Sequence, residues 1–128
     1  MEITDEQIEQ AKLYTRYTTG KPHHEHNDCV RIAYEWLDAQ LKTVSPLRRA
    51  FALKHLIEKW GGRYVSQSDV EVAAQLHPKI KGKYPYYNIS TKLTFPNEER
   101  LADVGEAFTH TNYQNAQMAE TYTYRESA

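Results

Sequence analysis

The sequence contains one cysteine, Cys29. A single thiol excludes an internal disulfide, so packing and hydrogen bonding must hold the fold. No apolar run approaches the length of a membrane span. The opening stretch "MEITDEQIEQ" is acidic and polar, unlike a secretory or transit leader. A phosphate-binding glycine loop, a nucleophile elbow and an H-E-x-x-H zinc helix are all missing from the sequence. The carboxylates are scattered along the chain rather than paired in a recognisable site. Neither an internal repeat nor a low-complexity linker divides it. These absences set the first expectations: one soluble, cytoplasmic domain, no cofactor, and no enzyme activity. A chain of 128 residues is long enough to build one hydrophobic core unaided.

Tyrosine is abundant. There are ten Tyr against three Phe and two Trp. Tyrosine joins an apolar ring to a polar tip and suits half-buried positions and contact surfaces. The net charge of −1 conceals an asymmetry. Residues 1–44 carry five Lys/Arg against eight Asp/Glu, residues 45–96 carry nine against three, and residues 97–128 carry two against six. A basic centre lies between acidic flanks. Its densest part is "KIKGKYPYY", residues 79–87.

Apolar spacing predicts a chain of short helices. Thr4 and Gln7 have capping-box spacing, opening a helix whose face carries Ile8, Ala11 and Tyr14 and which ends at Gly20–Pro22. From about Asp28 to Lys42, Cys29, Val30, Ile32, Ala33, Trp36, Leu37 and Leu41 share one arc, with Asn27 or Asp28 as cap. Ser45 and Pro46 make a preferred helix start, with a stripe of Ala50, Leu53, Leu56, Ile57 and Trp60 running to Gly61 and Gly62. Ser66 or Ser68 opens a helix bearing Val70, Ala73, Ala74 and Leu76. Residues 88–95 fit either a short helix capped by Asn88 or a strand, and the helical neighbours favour the helix. Asn97 opens a further helix with Leu101, Val104 and Phe108.

The expected fold is therefore mainly α: five or six short helices in one compact domain over residues 1–108, with at most a minor strand pair from Tyr64–Val65 and Ile89–Phe95. Residues 109–128 are expected as a polar C-terminal helix or tail. The expected core is Ile32, Ala33, Trp36, Leu37, Leu53, Leu56, Ile57, Trp60, Val70, Ala73, Leu76, Leu93, Leu101 and Val104.

The central order is helix, glycine turn, short extended piece, helix, basic loop, short helix. Helix-turn-helix domains use this kind of order. "VSQSDVEVAAQL" resembles the scaffold helix of winged-helix members, and "NISTKL" stands where their recognition helix stands. No two-stranded wing follows residue 95. The resemblance implies that Asn88, Ser90, Thr91 and Lys92 face bases, while Arg48, Arg49, Arg63, Lys79, Lys81 and Lys83 face phosphates. Tyr86 belongs to the same surface. The expected function is a non-catalytic, DNA-binding small regulator acting through residues 45–96. The alternative is a protein-binding adaptor or inhibitor using the tyrosine-rich charged surface. The partner is a nucleic acid or a protein, and a homodimer is compatible with either.

Two other features carry less. In "HHEHNDC", residues 23–29, His23 and His26 have the three-residue spacing of metal ligands. No second Cys/His cluster completes a site, so no metal is expected. Cys29 falls in the first turn of its helix but on the apolar face, where a cysteine serves as a small core residue.

Overall fold

The computed structural model describes residues 3–110, Asn112 and 121–127. Among the described residues there are four α-helices: α1 Asp5–Tyr14, α2 Asn27–Ala39, α3 Leu53–Gly61 and α4 Gln67–Leu76. Two short strand pairs accompany them. β1 (Gly82–Lys83) and β2 (Tyr86–Tyr87) form an antiparallel hairpin, with Gly82 opposite Tyr87. β3 (Thr94–Phe95) and β4 (Tyr124–Arg125) pair in parallel, with Thr94 opposite Tyr124. The protein is mainly helical with a minor β element, as expected, but the described residues hold four α-helices rather than five or six. None of the helices among the described residues is long and apolar enough to cross a membrane.

Helix α2 is the centre, packing on α1, α3 and α4. Ile32, Ala33, Trp36 and Leu37 of α2 are buried against Leu53, Ile57 and Trp60 of α3 and Val70 and Ala73 of α4, together with Leu93 and Leu101. Leu56, Leu76 and Val104 sit half-buried at its margin. Each fully buried aliphatic or aromatic side chain contributes about 1.5–3 kcal/mol. Both indoles enter the core with their N–H groups satisfied. Trp36 Nε1 donates to Tyr122 Oη at 2.9 Å, and Trp60 Nε1 donates to Pro96 O at 3.0 Å. A buried indole without a partner would forfeit part of what its ring gains.

Local sequence accounts for most helix ends. The Thr4–Gln7 capping box forms in both directions. Ser66 caps α4 through Asp69 N–H. Gly62 closes α3 in the left-handed region, φ 58°, which costs glycine no Cβ clash. The cap of α2 is neither Asn27 nor Asp28 but His26, whose Nδ1 accepts from Asp28 N–H at 2.9 Å.

Several expected boundaries are corrected, those of α1 and α3 because tertiary bonds claim the backbone. Helix α1 stops at Tyr14 rather than near Gly20. Thr15 is extended, and downstream Thr18 N–H bonds to Glu71 of α4 at 2.8 Å. Helix α2 stops at Ala39, so Leu41 lies outside it and is 53% exposed. Lys42 instead turns back and donates to the carbonyls of Leu37, Asp38 and Gln40, meeting the negative end of α2. Helix α3 starts at Leu53, not at Ser45. Thr43 N–H and Leu47 N–H bond to the carbonyls of Asn88 and Tyr87, which draws 41–52 out as a loop.

The segment 88–95 is not a helix. Asn88 N–H bonds to Lys81 O, Ser90 N–H to Leu41 O, and Thr94 N–H to Gln40 Oε1 at 2.9 Å. Ile89 bridges to Lys42, and the strand at the end of the segment pairs with β4, not with Tyr64–Val65. Asn97 does cap a turn, but only the 3-10 turn Glu98–Leu101, followed by further turns to Phe108. Glu106 N–H goes to Asp28 Oδ2 at 3.1 Å and Phe108 N–H to Gly61 O at 2.7 Å, which excludes a continuous helix.

Half of the expected 109–128 helix or tail, including residues 113–120, lies outside the described residues. Its end at 121–127 is docked. Tyr122 packs edge-on to Phe95 with ring centroids 5.1 Å apart. Glu126 bonds Asn97 N–H at 2.8 Å and forms two bonds with Arg100, each at 2.6 Å.

Candidate nucleic-acid interface

No carboxylate occurs between Asp38 and Glu58, or between Glu71 and Glu98. The fold places these two acid-free segments side by side. The hinge is Asn88, only 5% exposed. Its Oδ1 accepts from Lys81 N–H at 2.6 Å, and its Nδ2 donates to Thr43 O at 3.2 Å and Lys79 O at 3.0 Å. One amide thus ties the 41–52 loop to the basic 79–87 stretch. The hairpin turn depends on Gly82 at φ 108°, where a Cβ would meet Tyr86 O at 2.5 Å. A side chain there would be strained twice over.

The face built this way exposes Arg48, Arg49, Lys79, Lys81, Lys83 and Lys92. Among the described residues none of the six makes a salt bridge. The cations that do are Lys12, Arg31, Lys54, Arg63 and Arg100, besides histidines. These hold most of the carboxylates from the acidic flanks. Arg100 alone meets Glu35, Asp38 and Glu126 at 2.6–2.9 Å. Arg31 meets Asp5 and Asp28, both at 2.7 Å. The field of the acidic flanks is thereby spent largely within the fold, leaving the six cations to the solvent.

The expected site residues divide accordingly. Arg48, Arg49, Lys79, Lys81, Lys83 and Lys92 are exposed on the two joined segments, and Tyr86 is 42% exposed. Thr91 is exposed and Ser90 half-buried. Two expected positions point elsewhere. Arg63 is 7% exposed and engaged by Glu106 at 3.0 Å, Glu25 at 3.4 Å and Tyr64 O at 2.8 Å. Asn88 is turned inward as the loop clamp. With no helix at 88–95, there is no recognition helix to present Asn88 and Lys92 to base edges.

The histidine-rich loop has a structural explanation. His24 Nδ1 lies 2.7 Å from Asp69 Oδ1, and its Nε2 is 3.0 Å from Tyr17 Oη. Asp69 is fully buried and also accepts from Glu25 N–H at 2.9 Å. His23 N–H bonds to Ser68 Oγ at 3.0 Å. The line Asp69–His24–Tyr17 pins residues 17–25 to the start of α4. The sequence gives no sign of it, because the partners stand 45 residues apart. The ring of His23 meets Glu25 and that of His26 caps α2. Among the described residues no group of three or more His, Cys, Asp or Glu is arranged to hold a metal ion.

Cys29 is fully buried and its thiol approaches Tyr64 O at 3.4 Å. Burial pushes its pKa up to about 12. A thiolate at neutral pH is thus disfavoured, and with it nucleophilic chemistry. Iodoacetamide at neutral pH should leave the native protein unmodified and alkylate it once in denaturant, as read by intact mass. Rapid alkylation of the native protein would contradict this burial.

Compared with known proteins, the chain matches no family model, no curated protein and no solved structure.

Proposed function

We propose that this is a small cytoplasmic, non-catalytic nucleic-acid-binding protein, using the face formed by the 41–52 loop and residues 79–92. One observation carries the reading. Two carboxylate-free segments, distant in sequence, are clamped together by Asn88 so that six cations free of salt bridges face solvent. Such a face attracts phosphates and gains from the release of their counterions. The mode differs from that of a helix-turn-helix. The contacts are phosphate-directed and made by loops, so little base-edge discrimination is expected.

Both halves should matter. The double variant Arg48→Gln/Arg49→Gln and the triple variant Lys79→Gln/Lys81→Gln/Lys83→Gln should each weaken binding of a labelled oligonucleotide roughly tenfold at moderate salt. All five positions are exposed, so the fold should survive in both variants. Full affinity in either variant would show that the two segments do not act as one face.

A protein-binding adaptor or inhibitor is the second reading. Leu41, 53% exposed, and Val44, fully exposed, stand on the same loop, and Tyr86 stands on the hairpin. An acidic protein partner with an apolar centre would respond to Val44→Ser and Tyr86→Ala more than to salt.

A further inference from the structure

Between the C-terminal end of α1 and the β1–β2 hairpin lies a cleft of about 390 Å³, lined by Tyr14, Arg16, Glu71, Gln75, Lys83 and Tyr84. We propose that this cleft takes one base of a single-stranded nucleic acid whose backbone runs over the basic face. The inference rests on the reading above and names its substrate class.

The chemistry inside the cleft is graded. Tyr14 at the end of α1 is 66% exposed. Tyr84, half-buried, is held edge-on against Tyr87 with centroids 6.2 Å apart. These two rings give the cleft aromatic surface on both its helix side and its hairpin side. Arg16 and Lys83 are exposed and, among the described residues, form no salt bridge. Glu71 is buried, fixed by Thr18 N–H at 2.8 Å and Gln67 Nε2 at 3.4 Å. A buried carboxylate repels a phosphate. It accepts hydrogen bonds from the N–H groups that a base carries on its edge, and Gln75 supplies a further donor and acceptor. A phosphate therefore belongs near Arg16 and Lys83, and the base belongs inside. The volume suits one nucleotide, at the small end of ligand sites. A paired, stacked base cannot enter, so the cleft selects single strands. Lys83 belongs to both the cleft and the basic face, which gives the backbone a continuous path from one to the other.

The test compares three labelled polyanions by fluorescence anisotropy at low salt: a short single strand, an abasic strand of equal length, and a duplex. The single strand should bind about tenfold more tightly than the abasic strand, the usual size of one base–aromatic stack. Tyr14→Ala should erase that advantage, and Tyr14→Phe should keep it. Amide shifts in a heteronuclear NMR titration with the single strand should include Thr15, Gln75, Gly82 and Lys83. Equal affinity for abasic and base-bearing strands, with shifts confined to 43–50 and 79–81, would overturn the cleft while leaving the basic face standing. Failure of every strand to bind would overturn both.

Discussion

Arg100→Ala is expected to lower stability by about 2–3 kcal/mol at neutral pH, and by less in acid. The guanidinium joins Glu35 of α2, Asp38 of α2 and Glu126 near the C-terminus, at 2.8, 2.9 and 2.6 Å. Its side chain is 21% exposed, so the expected loss falls below that of a fully buried pair. Removing it leaves three carboxylates facing one another. The pH dependence follows from their individual settings. The bonds from Arg100 hold Glu126 below the usual carboxylate range. Burial pushes Asp38 up, but hydrogen bonds from His77 and Arg100 outweigh it and leave Asp38 lowered. Stability from these two is present above the ordinary carboxylate pKa and is lost as pH falls through their lowered values. Glu35 runs the other way. Burial raises its pKa despite Arg100, so its contribution is present in acid and fades as pH rises through the raised value. Without Arg100 all three should titrate upward. The deficit of the variant should then be largest near pH 7 and shrink toward pH 4, as the carboxylates protonate. Urea unfolding at both pH values checks this. An equal deficit at both would mean that Arg100 acts through packing of its stem alone.

Asn88→Ala is expected to cost about 2–3 kcal/mol and to weaken nucleic-acid binding as well. The change deletes three part-buried hydrogen bonds and takes the Asn88 partner from Lys81 N–H and from the carbonyls of Thr43 and Lys79. Each orphaned group carries its own desolvation cost. Amide exchange should speed up in both 41–47 and 79–90, because one side chain clamps both. Binding should fall although no cation is lost, since the two halves of the face would no longer be held in one arrangement. Asn88→Asp should not restore wild-type stability, because it keeps the acceptor for Lys81 N–H but sets a carboxylate oxygen against the carbonyls of Thr43 and Lys79. Protection that changes on one segment only would contradict the clamp.

What the sequence made legible follows the range of the interactions. The Thr4–Gln7 box, the Ser66 cap, the glycine stop of α3 and the apolar arc of α2 all depend on residues within a few positions, and all are found as expected except Leu41 at the end of the arc, which lies beyond α2. Where distant partners compete for the backbone, local pattern failed. Ser45–Pro46 is a good helix start on its own, yet Thr43 and Leu47 give their N–H groups to the hairpin side. Asn88 would serve as a helix cap, but its side chain is taken by three distant backbone groups. Asn97 caps a turn that Glu106 and Phe108 then pull away from helical geometry. The charge partition pointed to the basic centre, but not to its division. Arg63 lies in the same basic segment as Lys79, and only the fold shows it engaged by Glu106 and Glu25. The absence of carboxylates from both segments of the face was visible in the sequence. Their adjacency was not.

The most direct test of the central claim is the salt dependence of single-strand binding to the wild-type chain. Six exposed cations contacting phosphates predict that log K falls with log salt at a slope of about −4, becoming shallower by about 2 in the Lys79→Gln/Lys81→Gln/Lys83→Gln variant. Absence of binding even at low salt, or a slope that the triple variant leaves unchanged, would contradict the account and direct the search to a protein partner.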